Sequence, residues 1–398
     1  MSQAPKIKVL PPLCILSGVH DDAYRSTRSD DPVLCTSAGK RKLLYQAIAD
    51  ASGAAPLILS PHPRGRGLPG KLPEMEGEFA GCRQIFAPAC GTRKIRILVD
   101  MFHYARHVFR HTDRNAILII DNYELIYILA IYYARLRGRH NPVILEYEDG
   151  KHAIDRGWVK GITWLAEWLG KPLVKAALLA TPTLAKRLPP EIPIVLVPGI
   201  LEKEVHINPL PDRSSPTHFL YSGSLDVERG IPLLIDYLET QTLSSNAIFE
   251  ITGQGKFGDR LIQLMDRHPG KIIYHGSVSS KTLAEIRSRC HFGLNLQSST
   301  NPISEVTYPS KTFDYLNAGL RVISTRAAGV ETILGEAAHY LNEETPVALA
   351  HAVEGATNMK DANEANGLDA LQIDYSMEGT VKRITGVLYS VFKTHQSA

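Results

Sequence analysis

The sequence predicts an α/β protein of two doubly wound parallel-sheet domains, each sheet covered by helices. Three observations predict it. The chain has 398 residues, enough for two or three domains of roughly 150 residues each. Short apolar runs alternate with helix-length amphipathic segments along most of its length, the pattern of strand–helix–strand units. A polar stretch rich in proline and serine, "GILEKEVHINPLPDRSSPT" at 199–217, interrupts that alternation in mid-chain and reads as a linker.

In the first half the strands are "PLCILSG", "APLILS", "RQIFAP", "AILIID", "PVILEY", "ALLATP" and "PIVLVP". Helical patterns fall between them at 40–52, 94–112, 123–137 and 155–170. The near-continuous apolar character of these runs suits strands buried on both faces. After the linker come "THFLYSG", a helix over 230–240, "AIFEITG", a helix over 257–267, "KIIYHG", a helix over 280–289, "FGLNLQ", a helix from about 310, and "RVIST". The last segment, "DYSMEGTVKRITGVLYSVFKT", places Val381, Ile384, Leu388 and Phe392 on one helical face that must pack on one of the domains.

An apolar content of 44% is that of an ordinary globular chain. The five cysteines are scattered with no CxxC pair, which argues against a structural zinc site and for reduced thiols. "PLCILSG" contains a proline and leads into polar residues, so it reads as a strand and not a signal peptide. The most hydrophobic window, "AILIIDNYELIYILAIYYA", is broken by Asp121, Asn122 and Glu124 and is no membrane span. A cytoplasmic protein is expected, peripheral at most to the inner face of the cell membrane. Charge is uneven. Residues 1–200 hold 27 Lys and Arg against 18 Asp and Glu, a balance of +9, and the remainder holds 17 against 23, a balance of −6. Either the first half meets an anionic partner or surface charge merely drifts between domains.

The motif that bears most on chemistry is "PSKTFDYLNAGLRVIST". Pro309 or Ser310 starts a helix that Gly319 ends, just beyond a strand. Ligands of open parallel sheets sit outside the carboxyl ends of strands, where helix N–H groups favour anions. Lys311 adds a cation there, and Asp314 lies one turn further in, suited to a vicinal diol. The alternative is a capped helix with a solvated Lys–Asp pair. A second small-residue turn, Ser222–Gly223–Ser224 in "FLYSGSLDVERGIPLL", has Arg229 near the following helix, and a third carries Gly253 and Gly255. Small residues let backbone approach a phosphate closely.

These segments together carry a likeness. The run from about 219 to 333 resembles the donor-binding half of retaining glycosyltransferases of the GT-B fold, in particular glycosyltransferase family 4. "YSGSLDVERGIPLLI" is similar to the family's G-R-L-x-x-x-K-G segment, and "FEITGQG", "IIYHGSV", "PSKTFDYLNAGLRVIST" and "AAGVETI" follow in the family's order. In residues 1–200 the likeness rests mainly on strand–helix order, with "TSAGKRKLLYQAIADASG" and "ALLATPTLAKRL" as further matches.

The resemblance implies two Rossmann-like domains facing across a cleft, 1–200 for the acceptor and 201–375 for a nucleotide-sugar donor. A C-terminal helix at 376–398 would cross back to the first domain. It implies a metal-independent hexosyltransferase-type enzyme of polysaccharide biosynthesis, moving sugar from a UDP- or GDP-sugar to a glycan, lipid-linked or other hydroxyl acceptor. No resident cofactor, no metal and no nucleic-acid partner are expected. Arg229 takes the place of the family's phosphate-binding lysine, and Ser224 that of its arginine, with Lys311 as the replacement cation. Ser310, Thr312 and Gly18 complete the implied diphosphate contacts, and Asp314 matches the ribose-binding carboxylate. The family's sugar-side carboxylate falls on Val306, so Glu305, one position away, is assigned that role. Where many members carry a histidine at the end of a first-domain strand, this sequence has Glu148 with Asp149 next, which leaves the donor sugar open. An NDP-sugar epimerase of the same fold, needing acid and base carboxylates on both sides of the sugar with Glu148 and Asp149 supplying one side, and a non-catalytic nucleotide-sugar-binding protein are the alternatives.

Three further features belong to the first half. His103, His107 and His111 repeat every four residues beside Arg106, Arg110 and Arg114. Paired histidines at i, i+4 can bind zinc, but no H-E-x-x-H accompanies them, so a solvated basic face is expected ahead of a metal site, with a face towards anionic lipid or an acceptor phosphate as the functional alternative. Trp158, Trp164 and Trp168 share one helix and are expected in the core, with a membrane interface as the alternative. "SPHPRGRGLPGK" is a basic glycine-rich loop that lacks the GK[ST] spacing of a P-loop.

Overall fold

A computed structural model describes residues 10–20, 38–62, 72–89, 96–150, 155–202, 204–211, 215–359 and 367–396. The basic loop beyond His62, the position Asp21 in the turn after the first strand, and Cys35 and Cys90 lie outside the described residues. The chain divides into two compact units. One comprises the described parts of 1–180, 184–197 and 380–398, the other those of 181–183 and 198–379.

The first unit is an eight-stranded sheet of order β3-β4-β2-β1-β5-β6-β7-β8. Its strands are β1 (Leu13–Leu16), β2 (Leu57–Ser60), β3 (Met75–Phe79), β4 (Cys82–Phe86), β5 (Ile117–Asp121), β6 (Val143–Tyr147), β7 (Val174–Leu179) and β8 (Ile194–Leu196). Helices α1 (Ala38–Ser52), α2 (Arg96–His111), α3 (Leu125–Leu136) and α4 (Gly157–Gly170) connect them. Every residue of β1, β5 and β6 is buried, as parallel strands covered on both faces require. All pairings are parallel except β3–β4, a hairpin turned by Ala80 and Gly81, both left-handed at φ 58° and 76°. The sequence gives no apolar signal for β3, because Glu76, Gly77 and Glu78 face solvent.

The second unit is a six-stranded, all-parallel sheet of order β11-β10-β9-β12-β13-β14. Its strands are β9 (Thr217–Ser222), β10 (Ala247–Thr252), β11 (Ile272–Tyr274), β12 (Phe292–Asn295), β13 (Arg321–Ser324) and β14 (Ala338–Tyr340). Helices α5 (Ile231–Thr240), α6 (Gly258–Arg267), α7 (Ser280–Arg289), α8 (Lys311–Asn317), α9 (Val330–Leu334), α10 (Pro346–Asn358) and α11 (Leu368–Tyr375) flank it. Phe249, Phe219 and Phe292 sit in register on neighbouring strands and stack at centroid spacings of 5.4 and 5.3 Å. That ladder fixes strand register, since a one-residue slip would turn a phenylalanine to the other face. On the neighbouring position of β10, Glu250 is buried between His218, His275 and Arg289. The segment read as a linker is bonded into this unit in part. Asn208 N–H donates to Gly319 O at 2.8 Å, and Arg321 Nη1 donates to Asn208 O at 2.9 Å.

The last helix, α12 (Met377–Gln396), belongs to the first unit from Thr380 onward. Within that unit Thr385 Oγ1 donates to Ala51 O at 3.4 Å and Arg383 Nη2 to Leu196 O at 3.3 Å. Ile384 and Leu388 are buried as the spacing suggests, but Val387 and Val391 complete the stripe and Val381 and Phe392 are half-buried. Among the described residues no helix is long and apolar enough to cross a membrane.

Two expectations for surface and core are corrected. Trp158, Trp164 and Trp168 are 75%, 60% and 59% exposed on α4, not in the core. The strand-flanking side of α4 is covered instead by Ala166, Glu167 and Gly170. His107 is buried at 2% exposure, so the histidine repeat on α2 is not a uniformly solvated face.

Candidate active site

Among the parallel strands of each sheet the order reverses once, between β1 and β5 in the first unit and between β9 and β12 in the second. Such switch points open a crevice at the carboxyl ends of the strands.

In the second unit the switch point is formed by Ser222–Gly223–Ser224 after β9 and by the segment from Leu296 after β12. Arg229 reaches across, and its Nη1 donates to Gln297 Oε1 at 2.9 Å. Gln297 is 1% exposed and its amide donates onward to Ser304 Oγ at 3.0 Å, so the contact is braced from behind. Among the described residues, the Arg229 guanidinium has no carboxylate at ion-pair distance. A cation oriented by a neutral amide keeps its full charge available to an anion.

The turn is built by close backbone approach. Gly230 follows Arg229 at φ 77°, and a Cβ there would lie 1.6 Å from Leu296 O. Gly253 and Gly255 serve the same purpose, since added Cβ atoms would meet Gly223 O at 1.7 Å and Leu225 O at 2.3 Å. This third turn therefore packs on the second, Ser222–Gly223–Ser224, and supports its backbone. The N–H groups of Ser222, Gly223 and Leu225 already donate to Tyr315 Oη, Thr252 O and Gln254 O. The Ser224 hydroxyl donates to Asp226.

Helix α8 begins at Lys311, after Ser310 in the N-cap position without a side-chain cap bond. Lys311 Nζ lies 2.9 Å from Asp314 Oδ2, and Arg287 Nη2 of α7 lies 3.4 Å from the same oxygen. The Lys311–Asp314 pair therefore exists, with Arg287 as a third member. Thr312 turns inward. It is fully buried, and both its hydroxyl and its N–H donate to Pro309 O at 3.0 Å, which leaves it no donor for a diphosphate. Val306 is buried at 7% exposure and Glu305 is exposed on the turn Pro302–Glu305, its main-chain oxygen accepting from the Thr183 hydroxyl.

The first unit gathers a charged cluster at its own switch point. Asp121 ends β5 and accepts from Ser17 Oγ at 2.9 Å and Arg41 Nη2 at 2.7 Å. Arg41 of α1 also faces Glu146 at 3.8 Å and Glu148 at 3.2 Å, and Lys40 lies 3.5 Å from Glu148. Asn122, left-handed at φ 57°, accepts from the N–H groups of Glu148 and Asp149 at 2.9 and 3.0 Å. Three carboxylates thus share two cations. Burial, then the Asp121 charge, push Glu146 up to about 8 against the pull of Arg41. A protonated Glu146 brings the cluster close to neutrality. Gly18 is exposed beside it, directly after Ser17.

The structure thus brings Glu148 and Asp149 together through Asn122, joins Lys311 to Asp314, and centres Arg229 on Gln297. Sequence reasoning missed Gln297, Arg287, Lys40, Arg41, Asp121 and Glu146. Asp121 and Glu146 did carry a signal, since an acid at the end of an otherwise apolar strand run sits where ligands bind. Arg41, Arg287 and Gln297 carried none, because their partners are distant in sequence.

No protein-family model and no curated protein matches the chain. Solved structures do. The chain is similar to Anabaena Alr3699/HepE in complex with UDP and glucose, at 11% identity and TM-score 0.68, over 96% of this chain and 100% of that one. The trehalose-6-phosphate synthase OtsA matches at 12% identity and TM-score 0.64, over 96% and 99%. The lipopolysaccharide outer core galactosyltransferase WaaB, in its apo form, matches at 13% identity and TM-score 0.62, over 96% and 99%. The chain has the GT-B fold. The GT-B assignment agrees with two sheets that are parallel apart from the β3–β4 hairpin, and with the final helix joining the first unit.

Proposed function

We propose that this GT-B chain is a retaining glycosyltransferase that takes sugar from a nucleotide-diphosphate sugar. The observation that carries the proposal is Arg229, an uncompensated guanidinium held by buried Gln297 at the β9–β12 switch point. Cleavage of a sugar–phosphate bond builds negative charge on the leaving diphosphate. A fixed cation stabilises that charge without reorganising. HepE was solved with UDP and glucose, which supports a UDP-sugar among the donors to try first.

In this reading residues 201–375 bind the donor and 1–200 the acceptor. Arg229 holds the diphosphate, with Ser224, Ser310 and Lys311 beside it, and Asp314 accepts from the ribose. Donor entry would then have to share Asp314 with Lys311 and Arg287. Glu305, exposed on its turn, faces the transferred sugar. The epimerase reading is less well supported, because Glu148 is already engaged by Lys40 and Arg41.

The exposed tryptophans on α4 favour a lipid-linked acceptor. Val159, Ile162 and Leu165 extend the same apolar surface and Arg156 and Lys160 are exposed beside it. Aromatic rings with neighbouring cations suit the boundary of an anionic membrane.

The test is incubation with UDP- and GDP-sugars, with and without glycan and lipid-linked acceptors, reading product and anomeric configuration by NMR. Transfer with retained configuration is expected. Conversion of the donor without an acceptor supports the epimerase instead, and binding without turnover across the panel supports a non-catalytic protein.

A further inference from the structure

We propose that Glu74, His107 and His111 form a site for a divalent transition-metal ion, of the Zn2+ class, that ties the β3–β4 hairpin to α2. His107 Nδ1 lies 3.0 Å from Glu74 Oε2, and His111 Nε2 lies 3.3 Å from that same oxygen. One ligand atom from each residue falls within 4.8 Å of the others. Bonds of ~2.0–2.2 Å to a tetrahedral ion put ligand atoms ~3.3–3.5 Å apart, within reach of the spacing present here. His103, one turn earlier on α2, is not in the cluster.

The second observation concerns hydrogens. His107 is buried, and its other nitrogen, Nε2, lies 3.3 Å from Ile85 O of β4. A neutral imidazole has one N–H, yet the ring faces two oxygens. Whichever nitrogen of the neutral ring carries the hydrogen, the other presents a lone pair to an oxygen, and burial disfavours the doubly protonated ring that could donate to both. A metal ion removes the conflict. Nε2–H donates to Ile85 O, the usual outer contact that orients a ligating histidine, and the Nδ1 lone pair turns to the ion. Two histidines at i, i+4 on one helix offer their lone pairs to the same side. Imidazole ligands with one carboxylate select Zn2+, Co2+, Ni2+ or Cu2+ over Mg2+ or Ca2+. Glu74 and His111 are partly exposed, so an ion has a way in and water can complete its shell. The spacing of the histidines offered half of this site to sequence reading, but Glu74 was not legible, because it lies 33 residues before His107 in a polar segment with no strand signal.

The test is calorimetric titration of the chelator-treated full chain with Zn2+, with the visible spectrum of the Co2+ form as a second readout. The expected result is one ion per chain at micromolar or tighter affinity, no response to Mg2+, and a Co2+ spectrum of tetrahedral intensity. His111→Ala and Glu74→Gln, both at partly exposed positions, should each weaken binding at least 10-fold while the chain stays folded by circular dichroism. Absence of stoichiometric binding overturns the proposal, and the cluster is then a hydrogen-bonded carboxylate–histidine group only. Binding unchanged in both variants also overturns it, by placing the ion elsewhere.

Discussion

Arg229 and Gln297 meet at 2.9 Å across the one place where the second sheet reverses its strand order. The amide comes from a buried residue that is itself braced by Ser304, so the cation is placed by the fold and not by a counter-charge. Lys311 and Arg287 differ, because both are held by Asp314. Of these three cations, Arg229 is the one with no carboxylate at ion-pair distance among the described residues.

Gly230→Ala should unfold or loosen this corner. The left-handed backbone alone costs about 1–2 kcal/mol for a non-glycine residue. The new Cβ would also lie 1.6 Å from Leu296 O, a main-chain atom that cannot swing aside. Denaturant unfolding should show a larger loss than for Gly386→Ala, where nothing lies within 4 Å of the added carbon.

Arg41→Ala should be strongly destabilising, by about 3–5 kcal/mol, because it strands buried carboxylates without their cation. Glu146→Gln should be mild by comparison. Folded Glu146 titrates at about 8 against 4.5 for the ordinary group. Between those values the folded chain holds a proton that the unfolded chain lacks, so this group's contribution falls as pH rises through the window. The glutamine variant should show a flatter stability profile from about pH 5 to 8, read by chemical denaturation.

Glu250→Gln carries the opposite sign. Burial raises this carboxyl, but hydrogen bonds from His218, Arg289 and His275 outweigh it and hold the group well below the usual carboxylate range. A depressed folded value contributes stability that is complete above the unfolded value near 4.5 and fades as pH falls towards the folded one. The variant should therefore be less stable than wild type at pH 7, with the gap narrowing below about pH 4.5. A constant gap down to pH 3 would contradict the assignment.

Replacing Trp158, Trp164 and Trp168 by alanine should reduce co-sedimentation with vesicles containing anionic lipid while leaving thermal stability nearly unchanged. These rings are mostly exposed, so little core packing is lost. A large fall in melting temperature would instead show that they pack against protein.

The order of strands and helices was legible because parallel strands buried on both faces leave unbroken apolar runs, as in "AILIID" and "PVILEY". Strand β3 was not, since its outward residues are polar and only its pairing with β4 makes it a strand. The tryptophans on α4 were misplaced because helical periodicity marks a face without saying what covers it. At the candidate site, Arg229, Lys311 and Asp314 were singled out from their places near helix starts, and the structure joins Lys311 to Asp314. Gln297 and Arg287 were not, because they meet their partners 68 and 27 residues away in sequence. Thr312 shows the limit of motif reasoning, since one position past Lys311 the helix turns its side chain into the core.

The most direct measurement is calorimetric binding of UDP and GDP to the wild-type chain and to Arg229→Ala and Arg229→Lys. One nucleotide should bind the wild type, and loss of a charge-assisted contact worth about 1.5–3 kcal/mol should weaken it roughly 10- to 150-fold in the alanine variant. Lysine should restore part of the affinity. Equal affinity in wild type and Arg229→Ala, or no binding of either nucleotide to the wild type, would contradict the claim that this guanidinium receives the diphosphate.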